Sequence, residues 1–132
     1  MKYLTGEEIL VIHSEIIDAT GGSHGVRDAG LFLSIIERPK SKFGGKELFQ
    51  GIFGKAAAYL ESLVQYRVFI DGNKRTAFVA CARFLYLNGF EFKATNKEVE
   101  NFVLEVVVEK LDLKTIAAWF KKHSKRLKNK GK

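Results

Sequence analysis

Cysteine and proline are nearly absent from the 132 residues, with Cys81 and Pro39 standing alone. A single cysteine excludes an internal disulfide framework and agrees with a reducing compartment. Inside the apolar stretch TAFVACARFLYL it reads as a small buried hydrophobe. With one proline, little in the chain interrupts helices. No apolar run reaches the roughly 18 residues of a membrane span, which excludes a membrane partner of that kind. The start, MKYLTGEEIL, carries acids where a secretory signal has its apolar core, so a cytoplasmic location is expected. The phosphate fingerprints GxxxxGK(S/T) and GxGxxG are also missing.

Acidic residues are lacking only at one end. The net charge of +7 comes from 22 basic and 15 acidic residues; seven of the basic ones fall within 121–132, where there is no acid, leaving fifteen of each in 1–120. The body is neutral, and the basic end reads as solvated or disordered rather than as a nucleic-acid reader, so no direct nucleic-acid binding is expected. The length and the 46% hydrophobic content fit one domain over 1–126, followed by a disordered tail at 127–132.

Helical periodicity dominates what is present. Thr5 and Glu8 form a capping box, and Ile9, Ile12 and Ile16 then repeat at helical spacing, which predicts a helix over about Gly6 to Asp18. His13 falls on its apolar face and reads as a hydrogen-bonded core histidine. TGGSHGVRDAG holds four glycines, a place for function or for tight turning, and Asp28 is placed to cap a second helix ending before Pro39. His24 in that loop stays ambiguous. RPKSKFGGKELF predicts a short hairpin or a flap, and Phe49, Ile52, Phe53, Ala56, Leu60 and Leu63 predict a third helix over about Lys46 to Gln65. A fourth, over about 73–88, has almost no polar face and belongs at the centre of a bundle. After the extended FEFKA, Thr95 with Glu98 and then Asp112 cap two more helices; the β-branched VVVE leaves a strand conceivable there, against the helical series Val99, Phe102, Val103, Val106. The fold class is all-α, a compact bundle around that fourth helix.

The chemistry concentrates in RVFIDGNKRTA, Arg67 to Ala77. The central helix opens at about Asn73, where free N–H groups and the helix dipole favour an anion. Lys74 and Arg75 add two charges that this dipole disfavours, so an incoming anion explains them better than a solvated first turn does. Gly72 admits a ligand close to the backbone, and Asp71 is placed to hold Mg²⁺ against phosphates. The competing reading is structural: an Asp71-Gly72 turn, Asn73 as an N-cap, and two solvated cations.

FIDGNKRTA resembles the central motif of the Fic/Doc superfamily, HxFx(D/N)(A/G)NKR in its death-on-curing branch. GGSHGVRDAGLFLSII looks like that branch's signature after the first helix, and FGGKELFQGIFGKAAAYLESL is similar to the segment before its motif, so the likeness runs in register over roughly 5–90. Lys74 stands where AMP-transferring members have a small residue, and their second motif arginine is absent, which favours the death-on-curing branch. The resemblance implies a helical toxin of a type II toxin–antitoxin pair that phosphorylates elongation factor Tu from ATP and blocks translation. It implies Asp71 as the metal-binding acid for Mg²⁺, Gly72, Asn73, Lys74 and Arg75 as the phosphate cradle, and Phe69 as an apolar anchor. It also implies a target-docking flap at Ser41, Lys42, Phe43, Gly44, Gly45 and Lys46, and a Phd-like antitoxin whose C-terminal segment covers a groove. An AMP transferase and a non-catalytic nucleotide- or antitoxin-binding module are the alternatives on the same site.

One position departs from the family pattern. Where the family has the general-base histidine, this chain has Arg67, and a guanidinium keeps its proton throughout the range in which such a base works. The expectation is retained binding with catalysis lost or attenuated, unless His24 substitutes as the base. A second expectation is that Arg67 either tightens nucleotide binding or pairs with Asp71 and displaces the metal.

Overall fold

A computed structural model describes residues 1–128. Among the described residues six α-helices carry the fold, joined by two small antiparallel strand pairs, so the all-α class stands. Helix α1 (Gly6–Thr20) opens on the Thr5/Glu8 capping box and stops at Gly21, whose φ of 83° ends the helix two residues beyond the expected Asp18. Its buried stripe is Ile9, His13 and Ile17. Helix α2 (Ala29–Glu37) is capped by Asp28, whose carboxylate accepts the Leu31 N–H at 2.9 Å. A 3₁₀ turn over Arg38–Lys40, carrying Pro39, follows it.

Strands β1 (Lys42–Phe43) and β2 (Lys46–Glu47) form the hairpin that the polar connection suggested. Gly44 and Gly45 supply the two positive φ angles that its tight turn needs. Helix α3 therefore begins at Gly51, not near Lys46: Lys46 and Glu47 are committed to the hairpin, and the stretch reaches helical conformation only after Gln50. From there to Gln65 it is the most enclosed helix, buried continuously from Lys55 to Leu60.

Helix α4 (Asn73–Leu87) lies against α3 across a seam of small residues, Ala56, Ala57, Ala77, Ala80 and Cys81, all without solvent exposure. The Cys81 thiol donates to the Ala56 carbonyl at 3.4 Å across that seam. Although α4 is as apolar as a fully buried helix, Val79 and Tyr86 reach solvent. Strand β3 (Phe90–Phe92) matches the extended FEFKA, and α5 (Asn96–Glu109) opens on the Thr95/Glu98 capping box and stays helical through VVVE. Asp112 caps α6 (Leu113–Lys122). Trp119 of α6 stacks on Phe102 of α5 with centroids 4.1 Å apart, and Phe78, Phe92 and Phe120 complete the aromatic cluster.

Part of the basic end is built into the fold. Lys121 and Lys122 close α6, and Ser124–Arg126 form β4, paired with β3 in the register Phe90↔Arg126, Glu91↔Lys125, Phe92↔Ser124. Leu127 donates its N–H to the Gly89 carbonyl at 2.8 Å. Backbone pairing to an otherwise open strand edge and the Arg126 guanidinium over the Phe90 ring offset the cost of ordering these residues. Residues 129–132 of the expected tail lie outside the described residues.

Candidate functional site

The link from α3 to α4 is held from Val68 to Asp71. Asn73 folds its amide back on Phe69, accepting the Phe69 N–H at 3.0 Å and donating to the Phe69 carbonyl at 2.9 Å, so both ends of that side chain are engaged within the loop. Phe69 is fully buried between the His13 ring, stacked at 3.9 Å, and the edge-on Phe32 ring at 5.7 Å. It is an apolar anchor in fact. The glycine loop braces the same segment from the other side: Arg27 N–H donates to the Val68 carbonyl, Ile70 N–H donates to the Gly25 carbonyl, and Val26 pairs antiparallel with Phe69. Asp71 is gripped twice, its Oδ2 by the Ser23 N–H at 3.0 Å and its carbonyl by His13 at 2.7 Å. Two glycines are required by geometry. A Cβ on Gly72, at φ 74°, would stand 3.0 Å from Ile17 Cδ1, and one on Gly22, at φ 110°, would stand 3.3 Å from Asp71 Oδ2.

Helix α4 starts on Gly72 with no side-chain cap, and Thr76 is its first residue to bond back, to the Gly72 carbonyl at 3.0 Å. The N–H groups of Asn73, Lys74 and Arg75 thus lack intrahelical acceptors at the positive end of the dipole. They open on a cleft of about 470 Å³, whose lining includes Arg67, Asp71, Lys74 and Arg75. Three cations face one acid, and none of the four forms a side-chain ion pair among the described residues. In particular, Arg67 is not paired with Asp71. The Arg67 backbone is left-handed, with φ 49° just past the end of α3, and its side chain is exposed.

Among the described residues no cluster of three His, Cys, Asp or Glu side chains forms a metal cage, and Asp71 is the one acid lining the cleft. Mg²⁺ binds proteins through one or two carboxylates and takes its remaining ligands from phosphate and water. With Oδ2 held by Ser23 and Oδ1 without a hydrogen-bond partner among the described residues, Asp71 fits that role only when a phosphate ligand completes the shell.

His24 does not line the cleft. Its Nε2 lies 2.9 Å from the Asp18 carboxylate, and no histidine is among the residues that line the cleft. Residues Ser41 to Lys46 are likewise absent from the lining. Their hairpin is tied instead to α3, where Lys55, only 1% exposed, donates to Glu47 and to the Phe49 carbonyl, and Phe43 is 79% exposed at the tip. The Lys55 ammonium holds the Glu47 carboxyl below its ordinary range. Sequence reasoning missed Lys55, since a lysine eight residues from its partner carries no periodic signal. It missed the Ser23 and His13 grips for a related reason, as they span 48 and 58 positions of chain. A second, more apolar groove of about 550 Å³ runs between α1, α4 and α5, with Ile16, Phe78 and Val79 in its walls and Arg75 at its junction with the first cleft.

Known proteins are similar to this chain in sequence. The family model described as "Fic/DOC family" matches residues 3–85, which takes in the glycine loop, the hairpin and the loop that opens α4. Two relatives match over most of their own length. The Toxin Doc of Mycolicibacterium smegmatis is 37% identical over 119 residues, 89% of each chain, and the Protein kinase doc of Escherichia phage P1 is 32% identical over 91 residues, 69% of this chain and 71% of its own. With the matched region holding the whole braced loop, the chain belongs to the Fic/DOC family.

Proposed function

We propose that this chain is a death-on-curing-type toxin whose cleft binds ATP and whose chemistry is phosphoryl transfer to a hydroxyl of elongation factor Tu, blocking translation, with Arg67 removing or strongly attenuating that transfer. The observation that carries the reading is the uncapped start of α4 opening, with Lys74 and Arg75, on the cleft beside Asp71. Gly72, Asn73, Lys74 and Arg75 cradle the phosphates. Asn73 contributes its backbone N–H, since its side chain is spent on Phe69. Asp71 holds Mg²⁺, which neutralises charge on the phosphates when bound. The names of the two relatives, a toxin and a protein kinase, support this over AMP transfer.

In this reading the general-base position is Arg67, and losing such a base costs about 10²–10⁴-fold in rate. A non-catalytic module that retains nucleotide and partner binding is the second reading, favoured by the absence of any histidine from the lining. As a toxin the chain has a Phd-like antitoxin. The apolar groove between α1, α4 and α5 suits an amphipathic C-terminal segment of it, and Arg75 at the groove's end offers that segment a cation.

The test compares the unaltered chain with Arg67→His in the presence of Mg²⁺, elongation factor Tu and ATP labelled at the γ- or the α-phosphate. Transfer from the γ position that rises at least 100-fold on restoring histidine supports the proposal. Label from the α position moves the assignment to AMP transfer, and no transfer by either chain leaves the binding module.

A further inference from the structure

His13 is a buried side chain, 3% exposed, that the proposed chemistry leaves unused. It belongs to the buried stripe of α1, with Ile9 four residues before it and Ile17 four after, so the helix presents its ring to the anion loop at a fixed height. The ring lies nearly parallel to Phe69, 9° between planes. Its Nε2 is 2.7 Å from the Asp71 carbonyl oxygen. A carbonyl only accepts, so Nε2 carries a hydrogen and donates it. A Cβ on Gly72 would meet His13 at 3.8 Å and Ile17 at 3.0 Å, which makes α1 the floor under the turn.

We propose that His13 is a positioning residue for the anion site, holding the Asp71–Gly72 peptide plane through its Nε2–H. In a trans peptide the C=O and N–H point in opposite directions. Fixing the Asp71 oxygen on His13 therefore turns the Gly72 N–H away from α1, and that N–H has no acceptor among the described residues. The same bond sets the base from which the Asp71 carboxylate reaches Ser23 and from which the first turn of α4 departs. Stacking on Phe69 alone does not do this, because any flat ring of that size fills the space without fixing the peptide's direction. The inference rests on the reading of the cleft as a polyphosphate site.

Two substitutions separate hydrogen bond from packing. His13→Phe keeps a ring against Phe69 and removes the donor. His13→Gln places an amide Nε2 the same number of bonds from the backbone and keeps it. Binding of tripolyphosphate and of ADP with Mg²⁺ is measured by calorimetry on the unaltered full chain and both variants, alongside thermal unfolding. The expected result is binding about 3- to 10-fold weaker in His13→Phe, the range for losing one neutral hydrogen bond, and within about 2-fold of the unaltered chain in His13→Gln. If His13→Phe does not fold, His13→Asn, too short to reach the carbonyl, takes its place. Binding by the unaltered chain that the donor-less variant retains overturns the positioning role alone, as does weakening that follows the loss in melting temperature equally in both variants. No binding of either probe by the unaltered chain overturns the polyphosphate reading and the positioning role with it.

Discussion

Arg67 carries a left-handed backbone as well as an unexpected side chain, and the two have separate consequences. A Cβ in that region costs roughly 1–2 kcal/mol, whereas glycine there costs about 0.5–1 kcal/mol of added freedom in the unfolded chain. Arg67→Gly is therefore expected to raise stability by about 0.5–1 kcal/mol, read as a shift in the denaturant midpoint at constant m-value, without supplying a base. An unchanged or lower midpoint would show that the arginine makes compensating contacts. Asp71, Lys74 and Arg75 were legible in the sequence because helix-end chemistry is local, and the structure places all three in one cleft. His13 was legible as a satisfied core histidine but not as the partner of Asp71, which lies 58 positions away. Lys55 was not legible at all: only the folded hairpin brings Glu47 and the Phe49 carbonyl over its ammonium.

Helix beginnings were the most readable elements, since each cap is spelled within four residues. The boxes at Thr5/Glu8 and Thr95/Glu98 and the cap at Asp112 all form as the sequence predicts. The start of α3 was displaced because its apolar series continues backwards through Phe49 into residues that the hairpin claims. The caps also carry a pH dependence. Glu98 is held below the ordinary carboxyl range by the Thr95 N–H and hydroxyl and by His123, and Asp112 by the hydroxyl and N–H of Thr115. A carboxyl depressed in the folded state contributes fully above its unfolded value and loses that contribution as pH falls through the folded one. Melting temperature should accordingly decline on acidification below the ordinary values of 4.5 for Glu98 and 3.8 for Asp112. Glu98→Gln should flatten part of that decline; an identical pH profile in the variant would contradict the assignment.

At the level of the molecule, the chain's last described segment closes an edge that the rest of the fold leaves open. Removing residues 124–132 deletes β4, strips β3 of its partner and takes Arg126 off Phe90. The truncated chain is expected to melt lower and to scatter more light on standing, because an unpaired strand bearing Phe90 and Phe92 invites edge-to-edge association. A truncated chain that melts and stays monomeric like the full one would show that β4 contributes nothing to stability. The basic charge of this segment pointed to solvent, and no local pattern in KKHSKRLK announces a strand; pairing depends on β3 lying 34 residues earlier in the chain, Glu91 opposite Lys125.

Local physics written in the sequence settled the helices, their caps, the central apolar segment and the cluster of charges at its head, because periodicity, capping and the helix dipole act between neighbours. Tertiary structure decided what surrounds that cluster. The glycine loop, α1 and the loop before α4 come from three separate stretches, and only their packing makes Ser23, His13 and Phe69 into the frame that aims Asp71 and the free N–H groups. Contacts of that span depend on where whole helices come to rest, which no short window of residues encodes.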